Sequence, residues 1–233
     1  MHTGDGDDRP LRNPAWTSLI GPHAHLAEDL GLARRYPPDV SPFTGISDPD
    51  DLQAWHDLRA LVGPGGFGVI TGWDGEAPAG WVIVEGGQGV QITGEDVAGA
   101  PDDELLVLTD ADVPDMLDLV KRTEPGPFEV RTIELGGYLG IRSDDGRLAA
   151  MAGRRLHPPG WVEISAVCTD AEFRGRGYAG RLVLAVAHGI RRDGQVPFLH
   201  AADSNAGAIR VYERLGFRVR RRPSFVLVRA DGA

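Results

Sequence analysis

From Glu163 to Gly180 the chain reads Glu-Ile-Ser-Ala-Val-Cys-Thr-Asp-Ala-Glu-Phe-Arg-Gly-Arg-Gly-Tyr-Ala-Gly, its most chemically suggestive stretch. An apolar strand pattern runs to Thr169, a short polar loop follows, and glycines and arginines open a helical pattern. The first N–H groups of a helix lack internal partners and sit at the positive end of its dipole, so they form an anion site. Gly175 and Gly177 have no Cβ and let backbone approach a ligand closely, while Arg174 and Arg176 add positive charge. This spacing predicts a phosphate or pyrophosphate held over residues 174–180, and the alternative is a solvated arginine pair beside a flexible turn. A second block lies downstream, Asn-Ala-Gly-Ala-Ile-Arg-Val-Tyr-Glu-Arg-Leu-Gly-Phe from Asn205 to Phe217. There an asparagine suits a helix N-cap, and Ala208, Tyr212 and Leu215 share one helical face.

Arg174-x-x-Gly177-x-Ala179 resembles the [Q/R]-x-x-G-x-[G/A] signature of the GNAT superfamily, the acyl-CoA-dependent N-acyltransferases. The second block is similar to that family's N-x-x-A-x-x-x-Y-x-x-x-G-F segment, and the resemblance spans roughly residues 103–230. It implies an α/β (α+β) fold with a central mixed, largely antiparallel sheet split by a V-shaped cleft, preceded here by an N-terminal α/β region. It also implies acetyl-CoA as acyl donor and direct transfer to an amine in a ternary complex. By this resemblance pantetheine would bond to the backbone of Val167, Cys168 and Thr169, which lie on the family's fourth strand. The pyrophosphate would rest on the stretch Arg174, Gly175, Arg176, Gly177, Tyr178, Ala179 and Gly180, and Asn205 would contact the cofactor arm, cap its helix, or do both.

Two catalytic residues are carried over in the same way. Glu163 matches the position of a general base acting directly or through water, and pairing with an arginine is its competing role. Tyr212 matches the tyrosine that protonates the leaving sulfur, against a competing role in packing. An amide near Val167 would stabilise the oxyanion. Strict alternation places Glu163, Val167 and Thr169 on one strand face, an arrangement that the bulge usual in this strand would break. Acceptor contacts are expected from residues 123–137 and 218–226, with Pro125 to Phe128, Arg131 and Thr132 as candidates.

These residues need elements to hold them. In the second half, Leu105–Leu108 reads as a buried strand, and Thr109-Asp110 lead into a helix with Met116, Leu117 and Val120. Tyr138–Ile141 and Leu148–Ala152 read as a hairpin, and Trp161–Thr169 as a strand. Residues 177–192 form a helix, Val196–His200 a strand and 206–215 a helix stopped by Gly216. Phe217–Val219 and Ser224–Val228 supply the last strands. In the first half, residues 1–14 read as a loose tail, 16–35 as one or two helices, and the prolines from Pro37 to Pro42 as extended chain. A helix follows Asp48-Pro49-Asp50, Gly66–Ile70 is a strand, and Gly80–Val84 and Val90–Ile92 read as a hairpin across Gly86–Gly89.

Composition limits the choices. The 233 residues carry 24 basic and 34 acidic side chains, a formal charge of −10 that disfavours nucleic acid and anionic membrane as partners. The charge is uneven, with 5 basic and 16 acidic side chains in residues 1–102, so the expected division is an acidic N-terminal region, 1–102, and an N-acetyltransferase domain, 103–230. A degenerate second copy of the same fold in residues 1–102 is also open. One cysteine, Cys168, excludes an internal disulfide, and together with the acidic start it points to the cytoplasm. The expected partner is a small-molecule or peptide amine, with a homodimer left open and no metal. A non-catalytic acyl-CoA sensor is the rival of another class. His23-x-His25 reads as a surface pair, Gly63–Gly68 as a turn rather than a dinucleotide loop, Arg220–Arg222 as a solvated edge, and His157 and His200 receive no role.

Overall fold

The computed structural model describes residues 8–232. In chain order the elements are α1 (Pro14–Leu19), β1 (Glu28–Leu30), β2 (Ala33–Arg35), β3 (Thr44–Ile46), α2 (Leu52–Val62), β4 (Phe67–Thr71) and β5 (Trp81–Thr93). They continue with β6 (Leu106–Val107), α3 (Val113–Thr123), β7 (Leu139–Arg142), β8 (Leu148–Arg154), β9 (Trp161–Thr169) and α4 (Tyr178–Arg192). β10 (Val196–Ala202), α5 (Ala206–Arg214), β11 (Arg218–Arg221) and β12 (Ser224–Ala230) complete the chain.

Among the described residues nine strands form one sheet, ordered β4-β12-β5-β10-β9-β8-β7-β6 with β11 beside β5. Pairing is antiparallel throughout except between β9 and β10, which run parallel. The parallel pair needs a crossover, and α4 supplies it. Alternation along β8 shows the layers: Ala150 and Ala152 pack under α4, whereas Met151 faces α3 on the opposite side, joined by Leu148 because the register with β7 shifts between Ile141 and Arg142. Helix α4 presents Leu182, Val183, Val186 and Ile190 to the first layer, and α3 presents Met116 and Leu119 to the second.

The charge step at residue 102 does not coincide with a break in the sheet. β5, from the acidic first half, pairs with β10 on one side and with β11 and β12 on the other. Its Val90 and Ile92 lie in the same core as α4. Across the step itself, Arg181 of α4 holds Asp102 at 2.7 Å and Glu104 at 2.7 Å.

Several expectations need correction. β5 is one strand of 13 residues and not a hairpin, because Gly86–Gly89 keep pairing, first with β12 and then with β10. Residues 28–35 form a hairpin across Gly31, at φ +51, in place of the second helix. That hairpin joins β3 in a separate three-stranded sheet under α2, where Trp55 meets Trp73 and Trp81. Leu105–Leu108 is not a buried strand: only Leu106 and Val107 pair, and both are exposed at the sheet edge. Of the expected loose tail, residues 1–7 lie outside the described residues. Leu11 is buried, and Pro14 opens α1 with Asn13 as N-cap. Arg220 pairs with Asp8, Arg221 with Gln91 and Arg222 with Asp203, so that run is tied down and not merely solvated. His23 is likewise interior, hydrogen-bonded to the Tyr36 hydroxyl at 2.8 Å, while His25 is exposed. No helix among the described residues is long and apolar enough to cross a membrane.

Candidate active site

The sheet splits where its parallel pair ends. β9 and β10 are in register from Trp161↔Val196 to Ile164↔Leu199. Beyond that point β9 stays with β8 as far as Thr169, and β10 stays with β5 as far as Ala202. Between them opens a cleft of about 1390 Å³.

The cause of the divergence is visible in β9. Met151 pairs with Cys168 and Gly153 with Ser165, so Ala166 and Val167 together face the single residue Ala152. Ala166 sits at φ +52, a left-handed conformation that an alanine adopts only where its surroundings hold it there. Among the described residues the only other non-glycine with positive φ is Glu124, at φ +47, and both line the cleft. The bulge also resets the alternation, so the expected shared face does not form. Val167 packs toward α4, and Glu163 faces the other way, on the side of Trp161 and Phe198.

On the α4 side of the cleft lies the stretch from Arg174 to Gly180. Gly175 and Gly177 are at φ +80 and +79, and a Cβ built on either would meet nothing within 4 Å. Gly177 is the N-cap of α4 with no side-chain cap, and the first helical bond is donated by Arg181 to the Gly177 carbonyl. The preceding amides of Tyr178, Ala179 and Gly180 therefore have no helical acceptor and line the cleft. Arg174 lines it too, while Arg176 lies back over the Phe173 ring, 5.0 Å from its centroid. Val167, Cys168, Thr169 and Asn205 all face this half. Asn205 caps α5 by accepting from the Ala208 amide at 3.0 Å, so the capping role is realised. Tyr212 reaches the same space from α5, and burial with the nearby Cys168 pushes its hydroxyl up to about 12, so it stays protonated. Burial raises the Cys168 thiol to about 11.

On the opposite side the structure brings together residues that the sequence reading left apart. Glu163 is fully buried and does not line the cleft. Both of its oxygens are occupied: Arg155 donates from Nε at 2.8 Å and from Nη2 at 2.7 Å, and the Leu156 amide donates at 3.3 Å. His200 Nδ1 lies 2.7 Å from Oε1. Burial pushes the carboxyl up, but the Arg155 guanidinium and His200 override it and hold it well below the usual carboxylate range. His200 itself lines the cleft, one residue beyond the last parallel pair.

The tautomer of that ring follows from its neighbours. Gln91 Oε1 accepts from Arg221 at 2.7 Å, and Gln91 Nε2 donates to the Leu11 carbonyl at 3.0 Å. The same nitrogen therefore donates to His200 Nε2 at 3.0 Å, which leaves the proton of a neutral ring on Nδ1, donated to Glu163. Gln91 carried no recognisable sequence signal. Alternation along β5 and the arginine partner expected for Glu163 are the only hints the chain held.

The expected acceptor segments divide. Pro125, Gly126 and Pro127 line the cleft, as does Phe225. Phe128 is buried beside Tyr138, Arg131 pairs with Asp39 and Glu134, and Thr132 donates to the Val40 carbonyl at 2.7 Å.

The sheet thus splits between its two parallel strands, with the bare amides that open α4 facing the gap. Comparison with known proteins gives the family. The family described as FR47-like protein matches residues 138–226. A GNAT-family acetyltransferase structure from Novosphingobium aromaticivorans DSM 12444 is 38% identical, covering 96% of this chain and 100% of its own, with a TM-score of 0.88. A GCN5-related N-acetyltransferase from Kribbella flavida is 15% identical over 99% of this chain and 98% of its own, TM-score 0.64, a likeness of fold alone. No curated protein matches. The chain belongs to the GNAT superfamily, whose fold supports acyl transfer.

Proposed function

We propose that this protein is an N-acetyltransferase that moves the acetyl group of acetyl-CoA to an amine by direct transfer in a ternary complex. One observation carries the reading: the bulge at Ala166 and the loss of pairing after Ile164↔Leu199 open the sheet directly opposite the uncapped start of α4. Diphosphate would rest on the amides of Gly175 to Gly180, with Arg174 supplying charge. Pantetheine would run along the unpaired edge of Val167, Cys168 and Thr169 into the apex of the split.

Chemistry follows from what converges there. The amine nitrogen attacks the thioester carbonyl, a C–N bond forms, and the C–S bond breaks. An amide near Val167 donates to the carbonyl oxygen as it gains charge. The Tyr212 hydroxyl protonates the departing sulfur, a task that fits its retained proton. The surplus proton of the nitrogen passes to water in the open cleft. Glu163, enclosed and doubly bonded by Arg155, contributes by fixing the His200 ring at the apex, and does not itself take the proton.

The test is binding followed by turnover. Titration calorimetry with coenzyme A should give a saturable isotherm, and acetyl-CoA with a mixed panel of amines should release free thiol and yield an acetylated product by mass spectrometry. Absence of coenzyme A binding at millimolar concentration removes the reading.

A further inference from the structure

The geometry points to the class of amine that the acceptor half of this cleft takes: a long aliphatic polyamine, its reacting nitrogen at the apex and a second, protonated nitrogen at a rim of glutamates. This rests on the acetyltransferase reading and specifies its substrate.

The floor of that half is the face shared by β4, β12 and β5. Register places Val69, Leu227 and Glu85 in one row, and Phe225 beside Gly87 in the next. Gly87 has an ordinary φ, and a Cβ on it would meet nothing within 4 Å, so neither backbone geometry nor packing asks for glycine there. Gly89 differs, because its Cβ would fall 2.5 Å from the Phe225 ring. A strip of bare backbone is thus left open beside the cleft, walled by Phe43 and Phe225, whose ring centroids are 6.5 Å apart. Methylene chains suit such a surface.

Charge decides what the chain carries. The one cation lining this half at the apex, Arg155, is already matched by Glu163, and Glu163 also holds the His200 ring. Glu85, Glu124 and Glu129 also line the cleft, and none of the three makes an ion pair among the described residues. Glu124 is held by its left-handed backbone at the end of α3, at the start of the Pro125–Pro127 turn. A carboxylate-bearing acceptor would meet uncompensated negative charge, and an ammonium would meet its counter-ions. Glu85 stands six positions along β5 from Gln91, the partner of His200, roughly 20 Å of extended strand. A short monoamine cannot span from the apex to that rim, and a polyamine can.

Spermine is the probe, titrated by calorimetry at 0.15 M salt into protein saturated with coenzyme A, with n-octylamine and 6-aminohexanoate as singly charged and zwitterionic controls. Expected is spermine binding at least tenfold tighter than either control. The double variant Glu85→Gln, Glu129→Gln should weaken it about tenfold, and Gly87→Leu should abolish it, with coenzyme A affinity unchanged in both. Equal binding of the controls, or spermine binding indifferent to Gly87→Leu, overturns the inference, the latter because it would mean diffuse attraction to an acidic protein. Loss of coenzyme A binding by the parent protein would instead sink the transferase reading, so the two failures are distinct.

Discussion

Glu163→Gln separates a locked carboxylate from a working base. The side chain is fully buried, and Arg155, only 10% exposed, places two donors on it at 2.8 and 2.7 Å. The amide keeps one acceptor oxygen, turns an NH₂ group toward donors, and leaves the guanidinium without counter-charge. Removing one partner of a buried ion pair costs about 3–5 kcal/mol, against a total stability of about 5–15 kcal/mol for an ordinary domain. Urea unfolding at pH 7 should show that loss as a lower midpoint with an unchanged slope. Replacing both partners, Glu163→Leu with Arg155→Met, should restore most of it, because desolvation of the two charges offsets much of their attraction. The same pair sets an acid limit. With its folded carboxyl far below the usual value of about 4.5, Glu163 contributes fully above that pH, and the contribution drains away as pH falls beneath it. A Glu163→Gln variant that loses under 1 kcal/mol of stability yet loses turnover would refute this account and restore Glu163 as a direct base.

Three further outcomes are expected. Gly177→Glu should abolish coenzyme A binding by calorimetry, since it sets a carboxylate at the anion cradle and forces an L-residue to φ +79; normal affinity would place the cofactor elsewhere. Tyr212→Phe should lower kcat tenfold or more with coenzyme A affinity nearly intact, and an unchanged kcat would leave Tyr212 a packing residue. Burial, with help from His157 and His25, lowers His23 to about 4 from 6.5, so the unfolded chain takes up a proton between those values and the fold does not. Stability should fall by up to about 3 kcal/mol as pH drops from 6.5 to 4. A His23→Gln variant should lose that slope, and an unchanged slope would assign it to other groups.

The cleft wall from Val167 to Gly180 was legible in the sequence because it is local. Strand, loop, glycines and helix follow one another within a single stretch, and the physics of a helix start needs no distant partner. Apart from Leu105–Leu108, the elements of the second half were legible for the same reason, as their periodicity is written residue by residue. The misreadings fell where pairing overrides local signals. Gly86–Gly89 resemble a turn, yet β12 and β10 hold them extended, and the 28–35 hairpin is set by its contact with β3. His23 reads as surface and Leu11 as part of a loose tail because nothing near them in sequence says what covers them.

The chain alone determined the family, the glycine-rich start of α4 at Gly175–Gly180 and the place of Tyr212 on α5, since these depend on spacing within one element or between neighbours. Only the folded molecule decided that Glu163 faces away from Val167, that Arg155 and His200 close around it, and that β5 runs through the sheet's centre. The reason is that one bulge at Ala166 reverses every side chain after it, and hydrogen-bond partners such as Gln91 and His200 stand 109 positions apart in sequence. Such contacts exist only after the strands have paired.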